Sequence, residues 1–311
     1  MHNCLIVDKL HDSIFQLMEN IGVQVDYQPE ITRAEILAII PKYTGIIIRS
    51  KTTIDQEFLE HAQLLEWVGR AGAGLDQLDV EALEKRKIQI VNAPDGNCDA
   101  LAEHTLGLML SVLNKIGLGD QQIRQGVWDR EANRGYELGV MTVGIIGYGF
   151  MGKAVCKRLK SFGCRVIGYD KYLKNYTDEY IKEESLETLL GESDLISLHI
   201  PLTDETMGMV DRPFIDNCGR PFFLINTARG EIVNLNALNE GLSSGKVLGA
   251  GLDVLENEKI STWNEEEIKT MNLLQSFSQV IMTPHVGGWT FESYQKINRV
   301  LTDKIAHVIK N

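Results

Sequence analysis

The chain has 311 residues, of which 44% are hydrophobic and 24% charged, and its formal net charge is -12. That length and composition suit a globular protein of two domains, and the acidic balance argues against nucleic acid as a general partner. An anionic small molecule would need a locally basic site on such a surface.

Residues 4–8 already read as a first strand, so no secretory leader pattern is expected. Further strand signals lie near 23–27, 45–50, 65–70 and 88–92, with amphipathic segments such as 31–39 between them. A helical stretch from about 100 to 118 separates this block from a second one. The second block has strand signals near 143–147, 165–170, 194–200, 222–227, 247–254 and 279–283, and a last helical stretch covers about 291–309. Alternating β and α segments with apolar strands imply parallel sheets covered on both faces. No apolar run is long enough to span a membrane, so no membrane partner is expected. Cys4, Cys98, Cys156, Cys164 and Cys218 form no C-x-x-C pair. Such a scattered, odd set reads as reduced thiols and a cytoplasmic location. No His/Cys/Asp spacing resembles a metal site.

The second block opens on a cofactor signal. Residues 141–146 read as a buried strand, Gly147-Tyr148-Gly149-Phe150-Met151-Gly152 follows, and 153–159 has helical spacing. A lone G-x-G-x-x-G is weak, but strand before and helix after are the context that confirms it. The first glycine permits a tight turn, the second lets a pyrophosphate approach the backbone, and the third lets helix pack on strand. Free N–H groups at the helix start then favour phosphate. The next strand ends in Asp170, placed to bond the ribose hydroxyls and to repel a 2′-phosphate. NAD is therefore expected over NADP, although Lys171 beside it weakens that preference.

Three later stretches each end an apolar run in a polar residue. They are 225–230 with Arg229, 251–258 with Glu258, and 283–288 with His285. Ligands bind outside the carboxyl ends of strands in an open parallel sheet, so the three endings can meet at one crevice. A guanidinium forks onto a carboxylate. A histidine shuttles protons near neutral pH, and a glutamate can hold and polarise it. The set suits chemistry on an α-hydroxy or α-keto acid. Arg49, Lys51 and Arg70 end two strands of the first block and are candidates for binding the rest of an anionic substrate, including a phosphate. Ordinary surface charge is an equally good reading of them.

These motifs resemble the D-isomer-specific 2-hydroxyacid dehydrogenase family, and short phosphoglycerate dehydrogenases within it. The resemblance also covers residues 68–76, 91–94, 102–107 and 197–203, so it spans nearly the whole chain. It implies an α/β protein with two doubly wound parallel-sheet domains. A flavodoxin-like substrate domain (1–98 and 286–311) would carry an inserted Rossmann NAD domain (99–285). It implies an NAD-dependent oxidoreductase, with 3-phospho-D-glycerate as the first candidate substrate and glycerate, hydroxypyruvate or D-lactate as alternatives. An NAD-sensing, corepressor-like binding protein is the other class.

By resemblance, His285 takes the substrate hydroxyl proton, Glu258 holds its other ring nitrogen, and Arg229 binds the carboxylate. Register favours Glu258, with Glu256 as the fallback. Ala73 and Gly74 fall in the substrate loop. Cofactor contacts are implied for Gly147, Gly149, Phe150, Met151, Gly152, Asp170, His199, Pro201, Thr227, Ala228, Arg229, Asp253, His285, Gly287 and Gly288, with Asp253 on the nicotinamide carboxamide. His104, on an apolar helix, reads as a packed histidine. Trp128 and Arg130 fall where the family makes a two-fold contact, so a homodimer through the nucleotide domain is expected. The segment 260–277 looks longer than usual. No appended regulatory domain is expected after the last helix.

Overall fold

The computed structural model describes residues 2–310. In chain order the elements are β1 (His2–Ile6), α1 (Ser13–Asn20), β2 (Val23–Tyr27), α2 (Arg33–Ile39), β3 (Gly45–Ile48), α3 (Gln56–His61), β4 (Trp67–Arg70), α4 (Val80–Lys85), β5 (Gln89–Asn92) and α5 (Pro94–Leu113). Then come α6 (Ile116–Arg124), β6 (Thr142–Ile146), α7 (Phe150–Leu159), β7 (Arg165–Tyr169), β8 (Lys182–Glu183), α8 (Leu186–Glu192), β9 (Leu195–Leu198) and α9 (Arg212–Asn217). The chain closes with β10 (Phe222–Asn226), α10 (Leu235–Ser243), β11 (Val247–Leu252), α11 (Glu265–Ser276), β12 (Val280–Met282) and α12 (Phe291–Val308). It divides into two compact units, one of residues 1–98 with 289–311 and one of residues 99–288.

The first unit holds a five-stranded sheet in the order β2-β1-β3-β4-β5, every pair parallel. This is the flavodoxin-like order. Successive strand residues point to opposite faces, and both faces are covered. Leu5, Val7, Ile46, Ile48 and Val68 pack on one side. Cys4, Ile6, Ile47 and Trp67 pack on the other, where Ile297, Leu301 and Ile305 of α12 cover them.

The second unit holds a seven-stranded sheet in the order β12-β11-β10-β9-β6-β7-β8, again with every pair parallel. Counted from β6, this is the dinucleotide-binding order with a seventh strand added, and its switch point falls between β6 and β9.

Three local features differ from the sequence expectation. The helix expected over 100–118 runs from Pro94 to Leu113 and stops at Lys115, which adopts a left-handed backbone with φ 52°. Burial explains the stop: Leu108, Met109, Val112 and Leu113 are buried, whereas α6 buries no residue. Second, the long segment after residue 258 contains α11, whose N-cap Asn264 forms a capping box with Glu267. Asn264-x-x-Glu267 was readable as a helix start. Third, β8 has only two residues, too few to show any period.

Gly45 shows how tightly the first sheet is filled. A Cβ built there would lie 2.0 Å from Cζ2 of Trp67, which is fully buried. Gly45→Ala therefore overpacks the core, and we expect a loss of roughly 1–3 kcal/mol. Urea denaturation should show it as a lower midpoint at unchanged slope. An unchanged midpoint would mean that the Trp67 indole is free to move.

Candidate active site

The glycine turn after β6 has the geometry of a phosphate cradle. Gly147 has φ 96°, and a Cβ there would meet the His199 carbonyl oxygen at 2.4 Å. At Gly152 a Cβ would lie 2.1 Å from the Gly147 oxygen, whereas at Gly149 it would meet nothing within 4 Å. The two outer glycines are thus required by packing, and the middle one leaves an open approach to the backbone. Among the described residues no side chain caps α7 at Gly149. A dinucleotide pyrophosphate fits such a turn.

Asp170 follows β7 as expected. Burial pushes its carboxyl pKa up, but N–H groups of Leu173, Tyr148 and Tyr172 outweigh this and hold it below the ordinary value. Tyr148 N–H donates to Oδ2 at 2.9 Å, while Tyr172 and Leu173 share Oδ1. The acid is thereby tied to the glycine turn, and Oδ2 keeps acceptor capacity for a hydroxyl. Lys171 is drawn onto Glu205 at 2.5 Å. A depression of about 720 Å³ opens beside Asp170, lined also by Tyr169, Lys174 and Ser185. His199 bonds Ser197 through Nε2 at 2.9 Å, and its buried Nδ1 has no hydrogen bond among the described residues. Burial pushes its pKa down to about 4, so the ring is neutral.

The other residues of the site stand on the same sheet edge. Asn226 of β10, Leu252 of β11 and Met282 of β12 are in register. The next residues, Thr227, Asp253 and Thr283, therefore line up at the carboxyl ends. After Thr227 the chain turns through Ala228 and Arg229 into a 3-10 turn, Gly230–Ile232. Asn226 shapes this turn, accepting from Ala228 N–H and donating to the Arg229 carbonyl. Arg229 itself donates to the Ala228 carbonyl at 2.7 Å.

His285 lies within hydrogen-bond reach of Glu258. Its Nδ1 is 2.9 Å from Oε1 and 3.0 Å from Oε2. Glu256 is occupied elsewhere, accepting from Leu235 N–H at 2.9 Å. The hydrogen bond that His285 donates to Glu258 raises the His285 pKa. Burial and the positive charge of Arg229 oppose the rise, and the charges of Glu258 and Asp253 support it. A raised folded value favours the charged imidazole. Its contribution to stability is present below the ordinary histidine pKa and is lost as pH climbs through the raised one.

Asp253 is only 2% exposed. Burial pushes its pKa up, but bonds from His104, Thr283, Val286 N–H and Gly287 N–H overcome this and hold it low. The structure thus adds His104 and Thr283 to the site. His104 is packed, as expected, but it is also hydrogen-bonded to Thr283 at 2.9 Å.

The first-block candidates lie in the other unit. Arg70 ends β4, and Arg49 directly follows the last residue of the neighbouring strand β3. The Arg49 guanidinium stacks on Trp289, 3.4 Å from the ring centroid, and also faces Tyr294. The tip of Arg70 lies over Gly72, and Asn92 donates to the Ala73 carbonyl next to Gly74. Lys51 donates to the Pro29 carbonyl at 2.5 Å. Among the described residues no group of three or more His, Cys, Asp or Glu is placed to hold a metal, and no helix is long and apolar enough to cross a membrane.

Residues 106–287 match the model for the NAD binding domain of D-isomer specific 2-hydroxyacid dehydrogenases. A hydroxypyruvate reductase of Thermotoga maritima is 35% identical over 96% of this chain and 95% of its own. A D-3-phosphoglycerate dehydrogenase of Archaeoglobus fulgidus is 34% identical over 98% of this chain, which spans 57% of that longer protein. The structure of a D-lactate dehydrogenase from Aquifex aeolicus, complexed with NAD and lactic acid, superposes with a TM-score of 0.82. It is 26% identical, with 99% of this chain and 94% of that one covered. The chain belongs to the D-isomer-specific 2-hydroxyacid dehydrogenase family, and its second unit is the NAD-binding domain of that family.

Glu258→Gln replaces a charged partner by a neutral one. The His285 pKa should then fall toward the ordinary histidine value, as read by NMR titration of the imidazole nitrogens. An unmoved pKa would mean that Glu258 does not govern the ring.

Proposed function

We propose that the protein interconverts D-2-hydroxy acids and 2-keto acids with NAD, and that 3-phospho-D-glycerate and phosphohydroxypyruvate are its preferred pair. The observation that carries this reading is the His285–Glu258 pair, set beside Arg229 on the sheet edge that also holds the glycine turn.

Arg229 presents a permanent charge to the substrate carboxylate. Because Glu258 holds Nδ1 of His285, Nε2 is the nitrogen left to meet the substrate oxygen. In oxidation Nε2 accepts the hydroxyl proton, and in reduction it returns it. The carboxylate of Glu258 stabilises the charged ring formed in between. When bound, NAD supplies the hydride acceptor, held by the turn at 147–152 and by Asp170. The complete Arg/Glu/His set favours an enzyme over a purely NAD-sensing binding protein.

The phosphate would fall to Arg49 and Arg70. A second reading, glycerate and hydroxypyruvate, is favoured by two observations. Lys51 is turned onto Pro29, and one face of Arg49 is covered by Trp289. We further propose a homodimer through the nucleotide domain. Trp128 is 81% and Val140 82% exposed, and Ile116 and Ile123 of α6 are exposed as well. Five free thiols suit a cytoplasmic setting.

Turnover followed by NADH absorbance across a panel of 2-keto acids tests the assignment. Arg229→Ala should damage every substrate. Arg49→Ala or Arg70→Ala should cost phosphohydroxypyruvate roughly ten- to a hundredfold in kcat/KM while largely sparing hydroxypyruvate. A wild type that prefers hydroxypyruvate, with no selective loss in either variant, would leave the second reading. NADH should be used in preference to NADPH, and Asp170→Ala should narrow that gap. Equal use of both by the wild type would remove Asp170 as the selector.

A further inference from the structure

Two adjacent residues of α5 reach two different strand ends of the site. Thr105 Oγ1 donates to the Leu101 carbonyl at 2.7 Å and lies 3.0 Å from Thr227 Oγ1. Its one hydrogen is therefore used within the helix, and Thr227 is the donor between them. Thr227 begins the turn that carries Arg229. One residue earlier, His104 Nε2 lies 2.9 Å from Thr283 Oγ1 and 3.2 Å from Asp253 Oδ1. Thr283 gives its one hydrogen to Asp253 Oδ1 at 2.6 Å. His104 must then carry a proton on Nε2 and donate it. The tautomer follows from the network.

The recipient of these bonds holds the His285 loop. Asp253 Oδ1 accepts from Val286 N–H at 2.9 Å, and Oδ2 accepts from Gly287 N–H at 2.7 Å. The Asp253 carbonyl accepts from His285 N–H at 2.8 Å. His285 has φ 54°, a left-handed backbone that a residue with a side chain holds only when its surroundings impose it. The approach is close on both sides. A Cβ at Gly287 would lie 2.9 Å from Asp253 Oδ2 and 3.4 Å from Cδ2 of His104, and one at Gly251 would lie 3.1 Å from Leu108 Cβ of α5.

We infer that His104 is a positioning residue for His285, acting through Thr283 and Asp253, and that Thr105 does the same for the Arg229 turn through Thr227. The spacing of the proton-transfer group from the carboxylate clamp is then set by two consecutive residues of one helix. Without the His104 donor, the Asp253 carboxylate loses a bond that orients it. The loop at 285–287 relaxes from its left-handed conformation, and the His285–Glu258 bond is made for less of the time.

The catalytic part of this inference rests on the dehydrogenase reading, so the test has two arms. His104→Leu removes the donor. His104→Gln restores it, because the glutamine Nε2 stands the same number of bonds from Cβ as the histidine Nε2. The first arm needs no substrate: NMR titration of His285 should give a lower pKa in His104→Leu and a value near wild type in His104→Gln. In the second arm, kcat should fall about ten- to a hundredfold in His104→Leu, with NADH affinity and KM changed far less, and recover in His104→Gln. A wild type inactive on every 2-keto acid would sink the dehydrogenase reading, and the titration would still decide this one. If His104→Leu does not fold, Thr283→Val interrupts the same chain and should lower the His285 pKa in the same direction. The inference is overturned if His285 titrates as wild type in these variants, or if His104→Gln is shifted as far as His104→Leu, since volume rather than the donated proton would then be the cause.

Discussion

One buried charge imposes much of the geometry of this site. The Asp253 carboxylate is almost wholly removed from water yet held ionised. A carboxylate in that position costs several kcal/mol unless its oxygens are satisfied. Its partners come from three places: the end of β12, the loop that carries His285, and α5. Satisfying one carboxylate thus fixes where three segments meet, and the chain leaving Asp253 runs on to Glu258. The arrangement that offsets the cost of burying the charge also presents His285 to its glutamate.

Much of this was legible because parallel strands announce their ends. Apolar runs that stop at Thr227, Asp253 and Thr283 give three strand ends, and a parallel sheet puts such ends on one edge. The identity of the glutamate was less legible, since Glu256 and Glu258 stand two apart in one charged loop. The fold decides by giving Glu256 to the start of α10 and leaving Glu258 to His285. His104 was the hardest to read. Its position on an apolar helix predicts a packed ring, and the ring is half-buried. Only Gly249 and Gly251 of β11, which face Val112 and Leu108 of the same helix, hint at the close helix approach that turns a packed ring into a hydrogen-bonded one.

The cations of the first unit show the opposite limit. Strand periodicity places Arg49 and Arg70 at neighbouring strand ends, but a long side chain has several directions to take from there. Arg49 spends one face on Trp289, a residue 240 positions away in sequence. Lys51 finds a backbone carbonyl instead of a ligand. Such choices depend on partners brought together by folding, and no local pattern carries them. The break between α5 and α6 has a similar origin, because helical propensity continues past Leu113 while the buried surface that supports it does not.

The outer strands of the seven-stranded sheet bear on the homodimer proposed above. β8 has two residues and β12 three. A strand edge invites a foreign strand in proportion to the row of unpaired N–H and C=O groups it offers. Edges this short offer little purchase for edge-to-edge aggregation. In the homodimer proposed above, contact would thereby be steered away from strand addition and toward side-chain packing, where the exposed apolar side chains of α6 and of the nearby Trp128 lie. That kind of contact can close symmetrically and stop, whereas strand addition propagates.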